Sequence, residues 1–167
     1  MLLNSQDRVA VSIHTLEAFL ARVRRKLSLP KESLAVRFVT DAEIARWNRA
    51  YRGKNGPTDV LSFPMNGIAR RKRAKQGSSE AGKQRKGSDK RSRASDKPLS
   101  STPYLGDIAI SPATARRNAL RFGRKLDDEL RILILHGVLH LMGYDHETDN
   151  GKMDRREQKL RRELGLS

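Results

Sequence analysis

Apolar residues recur along this chain with two periods, and each period names an element. Residues 8–13 (RVAVSI) alternate apolar and polar positions and predict a strand. Residues 14–27 place Leu16, Phe19, Leu20, Val23 and Leu27 on one face of a helix, with Pro30 just past its end. Residues 33–40 (SLAVRFVT) alternate again, with Leu34, Val36 and Phe38 pointing one way. Thr40 or Asp41 can cap a helix that runs through Ile44 and Trp47 to about Tyr51. The turn RGKNGPT then leads into DVLSFPM, a short strand stopped by Pro64. Further on, residues 104–111 (YLGDIAIS) read as a fourth strand. Ser111 followed by Pro112 is a helix start, and that helix runs to about Arg121 and ends near Gly123. The next helix begins near Asp127 with Asp128 and Glu129 in its first turn, which suits the positive end of the helix dipole. It continues to about Met142 and stops at Gly143. A last, heavily charged helix covers residues 149–164. The order predicts an α+β domain in which about four strands form one mixed sheet packed by helices.

Residues 66–103 break the pattern. They hold twelve basic and three acidic residues, a net +9 out of +16 for the whole chain. No aromatic residue occurs there, and Ile68 and Leu99 are its only aliphatics beyond alanine. Such a segment cannot bury enough apolar surface to offset chain entropy, so it is expected to be a disordered insertion within one domain spanning residues 1–167. It is either solvated surface or a basic arm that grips RNA phosphates.

Composition narrows the chemistry. With 35 Lys and Arg against 19 Asp and Glu, a polyanion is the default partner. Cysteine is absent, which excludes disulfide scaffolds, cysteine-ligated metal clusters and thiol nucleophiles. The longest apolar run, residues 132–135, is far short of a membrane span. The first residues, MLLNSQDRVAVSIH, lack the basic, apolar and small-residue succession of a signal peptide, so none is expected.

Three of the four histidines fall within HGVLHLMGYDH. His136 and His140 are four residues apart, which puts them on one helix face a turn apart. Gly143 ends the helix, and His146 can return to the same point from the loop. Three neutral imidazoles with a fourth position open describe a catalytic zinc site. Placing two imidazoles on an otherwise apolar helix without a strong partner would cost several kcal/mol. His14 stands apart and reads as a surface or structural residue. The spacing is H-x3-H-x5-H. Where the zincin motif H-E-x-x-H carries its general-base glutamate, this chain has Gly137. Asp145 and Asp107 are candidates for that base, but each fits better as a partner that orients an imidazole.

HGVLHLMGYDH resembles the signature of the YbeY family of bacterial endoribonucleases, as do RGKNGPTDVLSFP (residues 52–64) and LGDIAIS (residues 105–111). The resemblance covers the chain apart from the basic insertion. It implies a zincin-like α+β fold and one zinc ion per chain on His136, His140 and His146. It implies a single-strand-specific, metal-dependent endoribonuclease of the cytoplasm, active in ribosomal RNA maturation at the 16S 3′ end and in 70S ribosome quality control. Ribosomal RNA and the small ribosomal subunit are the implied partners, with no membrane. It also implies Arg52 and His136 as catalytic residues. A guanidinium offers two parallel donors to a phosphodiester that is gaining negative charge. Thr58, Asp59 and Ser62 are polar residues of the same segment, and Asp59 can cap the turn or hold Arg52. Two other readings remain open on the residues: a zinc hydrolase of a different substrate, and a ribosome-assembly factor with a structural zinc.

Overall fold

The computed structural model describes residues 1–65, 104–146 and 149–166, so the basic insertion at 66–103 lies outside the described residues. The strands are β1 (Leu2–Asn4), β2 (Leu34–Phe38), β3 (Val60–Pro64) and β4 (Gly106–Ile110). The helices are α1 (Ile13–Lys26), α2 (Asp41–Arg52), α3 (Pro112–Arg121), α4 (Leu126–Leu141) and α5 (Lys152–Leu164). The sheet order is β1–β2–β4–β3. β1, β2 and β4 are parallel, and β3 closes one edge antiparallel to β4, with Val60 opposite Ile110 and Pro64 opposite Gly106. Pro64 is tolerated because β3 is an edge strand. The α+β class and the mixed four-stranded sheet expected from the pattern are therefore present.

The first strand is not where alternation placed it. It is Leu2–Asn4, and residues 8–12 are irregular, with Ile13 already opening α1. The reason is local. The Gln6 side chain accepts from the Val9 N–H at 2.9 Å and donates to the Val9 carbonyl at 2.9 Å. These bonds satisfy the Val9 backbone as a ladder would, and Val9 is buried without belonging to the sheet.

Two faces of the sheet carry two apolar layers. Val36 and Phe38 of β2, with Ile108 and Ile110 of β4, face the main core under α1 and α4. Leu61 and Ala109 point the other way and pack with Val39 and Ile44 beneath α2, where Trp47 and Phe63 join them. The start of α2 is a full capping box. The Thr40 hydroxyl accepts from the Glu43 N–H, and the Glu43 carboxylate accepts from the Thr40 N–H at 2.9 Å. Ser111 caps α3 through the Thr114 N–H at 3.2 Å and also donates to Asp41, which joins the two helix starts.

α4 is buried around most of its circumference, and it packs tightly against the sheet at Gly137. A Cβ built there would lie 2.8 and 2.9 Å from Ile108 Cγ2 and Cδ1. On the neighbouring strand the Ser62 hydroxyl donates to the Gly137 carbonyl at 3.3 Å. Gly137→Ala should therefore lower stability by about 1–3 kcal/mol through overpacking. Ile108→Ala removes the atoms in the way, so the double variant should lose less than the two single losses combined. Denaturant unfolding of all four proteins measures the coupling, and strict additivity would refute this contact as the constraint.

Candidate metal centre

His136 and His140 project from one face of α4, and the chain after Met142 folds back to bring His146 beside them. Gly143, at φ +93°, makes that reversal possible, and its N–H donates to the His140 carbonyl at 3.0 Å. The ring centroids lie 4.7 Å (His136–His140), 5.6 Å (His136–His146) and 5.3 Å (His140–His146) apart. One ring nitrogen from each histidine falls in a group whose members are all within 4.8 Å of one another.

Hydrogen bonds on the far side of two rings define their protonation. His140 Nδ1 lies 3.0 Å from the Tyr144 carbonyl oxygen, which only accepts, so this nitrogen carries the proton. His136 Nδ1 lies 2.9 Å from Glu157 Oε2, and the carboxylate likewise accepts from its N–H. In its neutral form each ring presents a lone pair on Nε2, and the two Nε2 atoms are 3.1 Å apart. Two lone pairs at that distance repel unless a cation lies between them. Ligand atoms on a tetrahedral ion with bonds of about 2.05 Å stand about 3.3 Å apart, so the spacing of this pair suits such an ion, and His146 lies close enough to join it. Burial, followed by the charges of His136 and His146, holds the His140 pKa below the ordinary histidine value. The ring is thereby kept in its metal-binding form.

Glu157 anchors this arrangement from α5. It is only 6% exposed, and its other oxygen accepts from Arg161. Burial works against its charge, but the His136 hydrogen bond and the nearby positive charges outweigh burial, and its pKa falls below the usual carboxylate value. The sequence reading missed this residue. Its signal was available: Met153, Leu160 and Leu164 form the apolar stripe of α5, and Glu157 sits in that stripe at helical spacing.

The other expected residues fall in different places. Asp107 is exposed and accepts from the Tyr104 hydroxyl at 2.6 Å. It neighbours Ile108 in the strand, so it lies on the sheet face away from the histidines. Asp145 adjoins His146, and its charge favours the protonated form of His140. Asp59 turns the chain into β3. Its carboxylate accepts from the Val60 N–H at 2.8 Å and from Asn118 at 3.0 Å, and Thr58 donates to it at 3.1 Å. Ser62 bonds α4 as described. His14 is an exposed residue of α1. Arg52 is the exposed last residue of α2, before Gly53 in a left-handed conformation, on the helix that covers the other sheet face.

Glu157→Gln keeps the shape but removes the charge behind His136. Affinity for a divalent metal ion, titrated against a competing chelator, should fall about 10- to 100-fold. Wild-type affinity in this variant would remove Glu157 from the centre.

Comparison with known proteins places this geometry. The family model described as endoribonuclease YbeY matches residues 2–165. The Endoribonuclease YbeY of Solibacter usitatus is 36% identical over 153 residues, covering 90% of this chain and 78% of that one. The Koribacter versatilis protein of the same name is 35% identical over 168 residues, covering 99% and 86%. A solution structure of a Thermotoga maritima protein matches with a TM-score of 0.57 at 24% identity, over 98% of this chain and 89% of that one, which is a likeness of fold. A family match across nearly the whole length, on a chain whose three histidines converge, establishes that this chain belongs to the YbeY endoribonuclease family.

Proposed function

We propose that the chain is a metal-dependent endoribonuclease that cuts single-stranded RNA. Its role would be in ribosomal RNA maturation, including the 16S 3′ end, and in quality control of 70S ribosomes. The observation that carries the reading is the pair of bare His136 and His140 nitrogens 3.1 Å apart in a chain of this family. His136, His140 and His146 would hold one zinc ion per chain. That ion supplies Lewis acidity, which polarises a phosphoryl oxygen and acidifies water. Glu157 and the Tyr144 carbonyl fix the ring orientations and keep both protons away from the shared point. His136 and Arg52 are the proposed catalytic residues, Arg52 meeting the nonbridging oxygens where charge accumulates. The partners would be ribosomal RNA and the small subunit, in the cytoplasm. The residue after His136, where zincin peptidases carry a glutamate base, is closed against Ile108, which argues against a peptide substrate.

The insertion at 66–103 would add a basic arm. With twelve cations on an RNA-cleaving chain, we assign it to sequence-independent binding of phosphates.

Metal-loaded protein should cut ribosomal RNA in its unpaired segments. His140→Ala, prepared identically, should lose the metal and at least 100-fold in rate. Equal cleavage by both proteins would assign the activity to a contaminant and overturn the reading. Arg52→Ala should keep the zinc and the fold while losing about 10- to 1,000-fold in rate, the range for removing one donor to a developing oxyanion. Lysine should restore activity only in part, since it lacks the bidentate fork. Deleting residues 70–97 should leave metal binding intact and flatten the dependence of RNA affinity on salt by about 0.7 per lost single-strand contact. An unchanged slope would make the insertion solvated decoration.

A further inference from the structure

The C-terminal corner of α3 exposes apolar side chains that the core does not use. Leu120 is 75% exposed and Phe122 is 56% exposed. Between Asp107 and Asp127 the chain has no acidic residue and five basic ones, Arg116, Arg117, Arg121, Arg124 and Lys125. An aromatic ring thus stands at the end of a purely cationic segment.

The corner is held rigidly. The Phe122 N–H donates to the Asn118 carbonyl at 2.9 Å, Gly123 to Leu120 at 3.2 Å, and Arg124 to Ala119 at 2.8 Å. Gly123 takes the left-handed conformation that this helix ending requires, at φ +65°. Arg124 is fixed by the buried Glu129 at 3.1 Å, and its guanidinium carbon lies 5.2 Å from the Phe122 ring centroid. The guanidinium of Arg121 lies 5.8 Å from the same centroid. The backbone and Arg124 therefore place the ring before any ligand arrives, which lowers the ordering cost of binding, and a stacking base would displace the exposed Arg121 guanidinium that lies over the ring.

We propose that Phe122 is a stacking seat for an unpaired base of RNA, with Arg121 and Arg116 meeting the neighbouring phosphates. Every base has a π face, so one ring among cations suffices for a strand that carries a negative charge per nucleotide. A protein partner would need much more. Stable interfaces take about 20–30 residues a side around an apolar centre, and this corner offers two apolar side chains. The seat also has a defined relation to the histidines. α4 begins at Leu126, and His136 lies ten residues into it, about 15 Å of helix. A strand held at Phe122 would thus be engaged several nucleotides from the metal centre, and the enzyme would require unpaired RNA flanking the cut. This inference rests on RNA being the substrate.

The test measures the affinity of the full chain for a short unpaired RNA across a salt series. Phe122→Ala should weaken binding about 5- to 100-fold, the worth of one stacked base, with the salt slope unchanged because no charge is lost. Phe122→Trp should restore it. Arg121→Gln should instead flatten the slope by about 0.7. Because Phe122 is exposed, its replacement should leave the melting temperature nearly unchanged. RNA carrying 4-thiouridine should crosslink on irradiation to the peptide containing Phe122. Wild-type affinity in Phe122→Ala would overturn the seat while leaving the endoribonuclease reading intact, provided the same protein cleaves RNA. Wild-type RNA affinity with lost binding to small ribosomal subunits would also overturn it, in favour of a protein partner. Phe122-dependent binding by metal-loaded protein that cleaves nothing would support the seat and overturn the catalytic reading.

Discussion

The contact between Gly137 and Ile108 sets the distance from α4 to the sheet, and the histidine cluster depends on that distance. A helix carrying a side chain at position 137 would stand off from β4, because any Cβ there falls within 2.9 Å of two Ile108 carbons. Close seating also brings the Ser62 hydroxyl to the Gly137 carbonyl, tying the edge strand to the turn of helix that lies between the two histidines. His136 and His140 flank this point. Their positions are consequently fixed by packing at Gly137, the residue between them that has no side chain.

The rings need a second constraint, and it comes from sequence-distant and sequence-local groups together. His140 is oriented by the Tyr144 carbonyl, which the Gly143 reversal supplies. His136 is oriented by Glu157, which must be delivered by α5. α5 is seated by Met153, Leu160 and Leu164 in the main core. It is also tied to α1, where Lys26 pairs with Glu163 at 3.1 Å and Arg22 donates to the Leu164 carbonyl at 3.1 Å. The charged helix that looks peripheral in the sequence is thus part of the centre. A loss of docking between α1 and α5 would be felt as a loss of order at His136.

What could be read from the chain follows from the range of the interaction involved. Helix-period patterns and caps are local, and the five helices among the described residues stand close to their expected bounds. The histidine triad was legible for the same reason, since a four-residue spacing on a helix and a glycine turn are both short-range geometry. β1 was not legible. Three residues are too few for alternation to register, and the better-patterned residues 8–13 have Val9 satisfied by the Gln6 side chain instead of by a neighbouring strand. Asp107 was misplaced because a strand sends adjacent residues to opposite faces, and only the sheet reveals which face holds the histidines. Glu157 depends on where α5 docks, a long-range fact. Even so, a carboxylate inside an apolar stripe was a visible anomaly, and a buried charge of that kind requires a partner.

The closure of position 137 also bears on why the proposed substrate is RNA. Peptide hydrolysis in a zincin uses a carboxylate to take a proton from water, and that carboxylate stands beside the first histidine. Here the space is filled by Ile108, so the chain offers its proton acceptor no room at that place. A phosphodiester places a different demand on the protein. Its reacting group is already anionic and gains charge on the way to the transition state, so what it needs above all is positive charge held in position. A chain with a net charge of +16 suits that demand. The packing that removes the peptidase base and the charge that suits a polyanion therefore point to the same class of substrate, from two independent features of the molecule.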